Sequence, residues 1–138
     1  MPCALANAKA APQGLTITVR ASAAAYLQEA IADFRGVATV APLAAAIVGH
    51  GLTTAICMGP TASVPGSDLV IGATITAGQP GSIVPGASQG VPYVVDVQNG
   101  SASASLEDNL ATAAGPQTAT ATLGAASTSY TVAAAFQP

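Results

Sequence analysis

Leu69-Val70-Ile71-Gly72-Ala73-Thr74-Ile75 is the clearest strand signal in the chain. It is apolar and rich in β-branched residues. Turn chemistry bounds it on both sides, with Pro65-Gly66-Ser67-Asp68 before it and Gly78-Gln79-Pro80-Gly81 after it. A short apolar run punctuated in this way reads as a buried strand. Gly72, inside the run, is read as the mark of a bulge.

The same texture extends outward. Residues 37–40, 43–48 and 52–58 form apolar runs, and Val48-Gly49-His50-Gly51 is read as the turn between the second and third. Ile83 and Val84 form a brief strand ahead of Pro85-Gly86. Residues 91–97 form a strong strand that ends at Asn99-Gly100, a hairpin signal. Residues 118–123 and 130–136 close the chain as two strands separated by Gly124. Leu15-Thr16-Ile17-Thr18-Val19 alternates apolar residues with threonine, the period-two pattern of a half-buried strand.

Two helices are predicted. Over residues 22–34, Ser22 supplies an N-cap, Gly36 a stop, and Ala23, Leu27, Ala30, Ile31 and Phe34 one apolar face. Over residues 105–114, Ser105 with Asp108 resembles a capping box. Residues 1–14 lack any period and read as an arm, able to reach about 45 Å if extended. Turn signals about ten residues apart predict a mainly β domain over residues 15–138, a small sandwich or barrel, with one short N-terminal helix.

Charge limits the function. The chain has 138 residues, with six acids and three bases, for a net charge of −3. Ionised side chains keep folded surfaces solvated and apart, so a chain this poor in them is expected to associate. Lys9, Arg20 and Arg35 are too few and scattered to neutralise a phosphate backbone. Nucleic acid and anionic membranes are therefore not expected partners. Residues 37–58 are long enough to span a bilayer, but Pro42, His50 and the glycines make a strand reading better. The first nine residues lack the basic start and apolar block of a secretory signal. Cys3 and Cys57 match no metal or redox spacing, and two free thiols are expected.

Catalytic inventory is thin. His50 is the single histidine, and Cys57 or a serine with Asp68 or Asp96 would complete a triad by inventory alone. Its setting between two glycines reads as a turn. Glu107-Asp108 is the one acidic pair, and it is read as capping and solvation of the second helix. No phosphate loop or clustered metal ligands are present. No catalytic, cofactor or metal site is expected. The flat, charge-poor strand edges at Leu15, Ile17 and Val19 and at Thr118, Thr120 and Thr122 are the expected interface, where another chain can extend the sheet.

The segment 69–78, in which a strand enters a turn through Ile75-Thr76-Ala77-Gly78, and the strand Val91-Pro92-Tyr93-Val94-Val95-Asp96-Val97 together resemble the decoration, or cement, proteins of tailed-bacteriophage heads. The resemblance covers about residues 37–100. It implies a non-enzymatic protein on the capsid exterior of a virion. Its partners would be the major capsid protein and copies of itself, as a homo-dimer or homo-trimer that holds neighbouring capsomers together. A secreted or surface-displayed self-assembling β module, adhesin-like or fibre-like, is the alternative.

Overall fold

The computed structural model describes residues 16, 18–24, 29–59 and 61–138. They form antiparallel strands and, among the described residues, no helix. The strands are β1 (Leu43–Met58), β2 (Leu69–Thr76), β3 (Ile83–Pro85), β4 (Ala87–Ser88), β5 (Val91–Pro92), β6 (Val94–Gln98), β7 (Ala104–Leu110) and β8 (Ala119–Phe136). The main sheet runs β1-β8-β2-β7-β6, with β3 also paired to β8, and β4 and β5 form a separate small pair.

β8 is the spine. One of its edges is paired with β1 from Leu43↔Phe136 to Met58↔Ala119. The other edge takes β2 along residues 129–136 and β3 along residues 121–123. This β1–β8 ribbon does not run straight. Thr53 pairs with Ser127 and Ala55 with Thr122, so residues 123–126 of β8 bulge opposite Thr54 alone. The Met58 side chain reaches back to Gly49, where an added Cβ would lie 2.7 Å from Met58 Cε. A straight strand would separate those residues by about 30 Å. The ribbon therefore folds over, and its Ala55–Met58 limb packs on one face of its own sheet. Gly124 lies in the bulge and donates its N–H to Ser82 O at 3.0 Å, which pins the bend to the turn before β3.

Two apolar clusters lie under the fold-over. Met58, Val64, Val70, Tyr93, Ala111, Ala119, Ala133 and Ala135 make the larger. Ile56, Ile83, Ala102, Ala121 and Leu123 make the smaller. Ala102, in the turn of the β6–β7 hairpin, has φ of 52°, an unfavourable conformation for a residue with a Cβ. Asn99 holds that turn, accepting at Oδ1 from the N–H groups of Ser103 and Ala104 at 2.8 and 3.2 Å.

Several expectations are corrected. Val48-Gly49-His50-Gly51 is not a turn. β1 runs through it, and Gly49 serves the fold-over by leaving room for Met58. Residues 118–123 and 130–136 belong to one strand, β8, with an irregularity where a break was expected. The segment 105–114 holds strand β7 rather than a helix, because β2 and β6 pair with it from both sides and their hydrogen bonds override a local cap. Gly72 lies in unbroken register with Glu107 and Ala133, so it marks no bulge. Tyr93 interrupts the expected strand 91–97, dividing it between β5 and β6. Residues 37–40 form no strand, although Ala38 N donates to Gln137 O at 2.9 Å and continues the ribbon's pairing. The expected arm, residues 1–14, and the middle of the expected helix, residues 25–28, lie outside the described residues. No helix among the described residues is long and apolar enough to cross a membrane.

The chain between β3 and β4 passes so close to β8 that a methyl group at Gly86 would overlap the hydroxyl and backbone carbonyl of Thr120. At Gly51 an added Cβ meets nothing within 4 Å. Gly86→Ala is expected to lower unfolding free energy by about 2 kcal/mol through overpacking, and Gly51→Ala to change it by less than about 0.5 kcal/mol. Urea denaturation followed by circular dichroism measures both.

Candidate functional site

The main sheet has two faces of unequal polarity, and the more apolar one is open. Register places Val48, His50 and Leu52 of β1 on the same side as Tyr130, Val132, Ala134 and Phe136 of β8. Leu69, Ile71, Ala73 and Ile75 of β2 continue that side, followed by Leu106 and Leu110 of β7 and Val94 of β6. This face carries no formal charge on β1, β8 or β2; Asp108 on β7 lies between Ile71 and Val94, and Asp96 is on the edge strand β6. Val48, Leu52 and Leu110 on it are 69, 74 and 61 % exposed. His50 and Tyr130 stack there with ring centroids 6.0 Å apart.

The opposite face is buried, yet it is the more polar. β2 presents Val70, Gly72, Thr74 and Thr76 to it, and β7 presents Ser105, Glu107 and Asn109. The covering layer explains this. Much of it is loop chain at residues 61–68 and 111–118 together with the short β4–β5 pair, whose backbone groups need partners once buried. Side chains supply them. Ser88 Oγ donates to Gln117 Oε1 at 2.7 Å and accepts from Thr118 N at 3.0 Å. Gln117 N donates to Thr61 Oγ1 at 3.1 Å, and Tyr93 Oη donates to Thr118 O at 2.9 Å. Asn109 Nδ2 donates to Val91 O at 3.2 Å. Small and polar residues therefore face inward, and the large aliphatic ones are left on the outer face.

Titratable groups follow this division. Strand alternation sends Glu107 and Asp108 to opposite faces, whereas a solvated helical pair was expected. Glu107 is buried beneath Gly72, and its Oε2 has no hydrogen-bond partner. Burial pushes its carboxyl up to about 7. Burial raises Asp68, and its two carboxylate oxygens are also without partners. Burial and then the nearby Asp108 raise Asp96 at the β6 edge. Burial, with Glu107 nearby, raises the Tyr93 phenol.

The residues weighed for catalysis are divided. A groove of about 340 Å³ at the doubled-back β1 edge has both His50 and Cys57 in its lining, but no acid, and no hydrogen bond joins the two. Asp68 lies on the buried face, and Asp96 is four strands away from His50 across the sheet. No group of three metal-ligating side chains occurs among the described residues.

The expected interface residues are also divided. Leu15 and Ile17 lie outside the described residues, and Val19 is exposed and in no strand. Thr120 and Thr122 lie on an interior strand rather than a free edge. β1 occupies one side. On the other, Thr122 pairs with Val84, and Thr120 O accepts from Gly86 N at 2.6 Å. Thr118, just before β8, accepts Tyr93 and is bonded to Ser88. The broad open face was missed because alternation reveals two faces without saying which is covered. Comparison with family models, curated proteins and solved structures finds no match to this chain.

Because Glu107 holds its proton more tightly folded than unfolded, the native state binds more protons between pH 4.5 and about 7. Stability from this group is greatest below pH 4.5, falls as pH rises through that window and levels off above 7. The full loss is on the order of 3 kcal/mol at 1.36 kcal/mol per pKa unit. Glu107→Gln is expected to remove most of the decline between pH 5 and pH 8, measured as the change in denaturation midpoint.

Proposed function

We propose that this chain is a non-enzymatic structural protein of a virion, a decoration protein that binds the outer surface of a phage capsid and cements neighbouring capsomers. The observation that carries this reading is the open, apolar sheet face on a chain with nine formal charges. Obligate interfaces are built from such surfaces. The resemblance to cement proteins supports it: the motif at 69–78 corresponds to β2 and its turn, and the one at 91–97 to β5 and β6.

In this reading the fold is a small two-layer β-sandwich. The folded-over ribbon and its loops form one layer and the main sheet the other. Copies of the chain associate as dimers or trimers, and the major capsid protein is the further partner. The polar network of Ser88, Gln117 and Tyr93 holds the inner layer rigid. The outer face is then presented without rearrangement, which lowers the cost of binding.

Particles recovered by density gradient from cells that express the gene naturally are expected to carry the chain at a fixed ratio to the major capsid protein. Cryo-electron microscopy of those particles should place it on the capsid exterior. With so few charges involved, attachment should survive 1 M NaCl, where exposed ion pairs are screened within about 3 Å. Recovery of the chain only as free protein, or only in filaments or at the cell surface, would replace this reading with the self-assembling surface module.

A further inference from the structure

We infer that Asn99, at the head of the β6–β7 hairpin, is a self-acting deamidation site that the closed hairpin restrains, so that its conversion is timed by opening of that turn. The chemistry needs only water and is independent of any partner.

The chain holds three asparagines. Asn7 precedes Ala8, Asn109 precedes Leu110, and Asn99 precedes Gly100. Deamidation begins when the backbone nitrogen of the following residue attacks the asparagine Cγ. A side chain on that residue hinders the approach, and Gly100 has none. The new N–Cγ bond closes a five-membered succinimide ring. The Cγ–Nδ2 bond breaks, and ammonia leaves with the proton that Gly100 N gives up through solvent. Water then opens the ring. Opening at Cγ leaves aspartate. Opening at the backbone carbonyl leaves isoaspartate, whose main chain runs through Cβ and Cγ. Nothing is oxidised or reduced. Asn99 and Gly100 are both exposed, so water reaches them.

The turn holds every part of Asn99 that must move. Asn99 N donates to Ala104 O at 3.2 Å, and Asn99 O accepts from Ala102 N at 2.9 Å. Its Oδ1 accepts from Ser103 N and Ala104 N, and its Nδ2 donates to Ser103 Oγ at 2.8 Å. Carrying Gly100 N onto Cγ rotates the peptide between residues 99 and 100 and turns the carboxamide, so it pulls against these bonds. The far side of the turn is anchored as well. Ala102, 1 % exposed, sits in the smaller apolar cluster, and Ser103 O accepts from Thr76 N at 2.8 Å at the end of β2. Ring closure therefore waits for local opening of the hairpin, which costs less than unfolding the whole chain.

The two products differ in what they leave behind. Aspartate still accepts from both backbone N–H groups. Isoaspartate lengthens the main chain by one carbon, which breaks the pairing of residue 99 with Ala104 and draws Ala102 out of its cluster. Conversion to it unlocks the hairpin in one direction only.

The test incubates the full chain at neutral pH, folded in buffer and unfolded in guanidinium chloride. Peptide mapping by mass spectrometry follows each asparagine and separates aspartate from isoaspartate. Conversion is expected at Asn99, slower in the folded chain by at least about tenfold and measurable there within months. Ser103→Ala removes one bond to the carboxamide and is expected to speed conversion of the folded chain roughly fivefold, with the rate in denaturant unchanged. Gly100→Ala, where an added Cβ meets nothing within 4 Å, should slow both. Circular dichroism confirms that each variant is folded in buffer. Hydrogen exchange should find β6 and β7 less protected in the isoaspartyl product than in Asn99→Asp, which carries the charge without the extra carbon. Equal rates in the two states, a folded chain that never converts, or conversion first at Asn7 or Asn109 overturns the inference. So does Ser103→Ala without effect on the folded rate, or an isoaspartyl product as protected as Asn99→Asp.

Discussion

Backbone pairing of β1 with β8 holds the main sheet together. β8 is bonded on both edges, and every other strand of the main sheet reaches β1 only through it. The bulge at residues 123–126 turns this pairing into a fold-over, placing Ile56 and Met58 against the sheet from which their own strand comes. With few aromatic residues available, the inner clusters are filled by alanine methyls, valine and isoleucine in close contact. Small side chains permit that closeness, and Gly49, Gly72 and Gly86 mark where backbone or side chain lies within a methyl's breadth. Interiors this tight tolerate volume changes poorly.

The fold-over also sets the chemistry of the two faces. A sheet covered by irregular chain must satisfy the backbone of that chain, and Ser88, Gln117, Asn109 and Thr61 do so. Large aliphatic residues have little place among those groups, so they populate the opposite side. Glu107 and Asp68 depart from this on the buried side as acids with unpartnered oxygens; Glu107 is held under Gly72 without a partner for one oxygen. Its protonation keeps the cost of burial tolerable.

Much of the strand content was legible in the sequence. Leu69–Thr76 is bounded by turn residues that act as their chemistry predicts, and Asn99-Gly100 opens the β6–β7 hairpin. The rest required non-local information. Glycines at 49 and 51 suit a turn or a strand in close contact, and only the packing of Met58 separates the two. Ser105 with Asp108 suits a helix cap equally well as a strand whose faces differ. The candidate site was the least legible part. Period-two alternation predicts that one side of a strand is buried, and the usual assumption sends the larger apolar residues there. Here the covering layer is polar backbone, so the assumption fails on β2 and β7. Thr120 and Thr122 look like a bare edge in sequence because β3 and the chain after it, which cover that edge, come from residues more than thirty positions earlier.

The strand that holds the sheet together is made after every strand it joins. Partners across the ribbon are at least 61 positions apart in the chain, so during synthesis β1 and β2 emerge well before β8 exists to join them. Closing such long loops is slow, and until then unpaired strands with few charges are open to one another across nascent chains. Fidelity of production thus rests on β8 being made promptly after β7, and a stop codon between the two would leave strands that aggregate rather than a shortened domain.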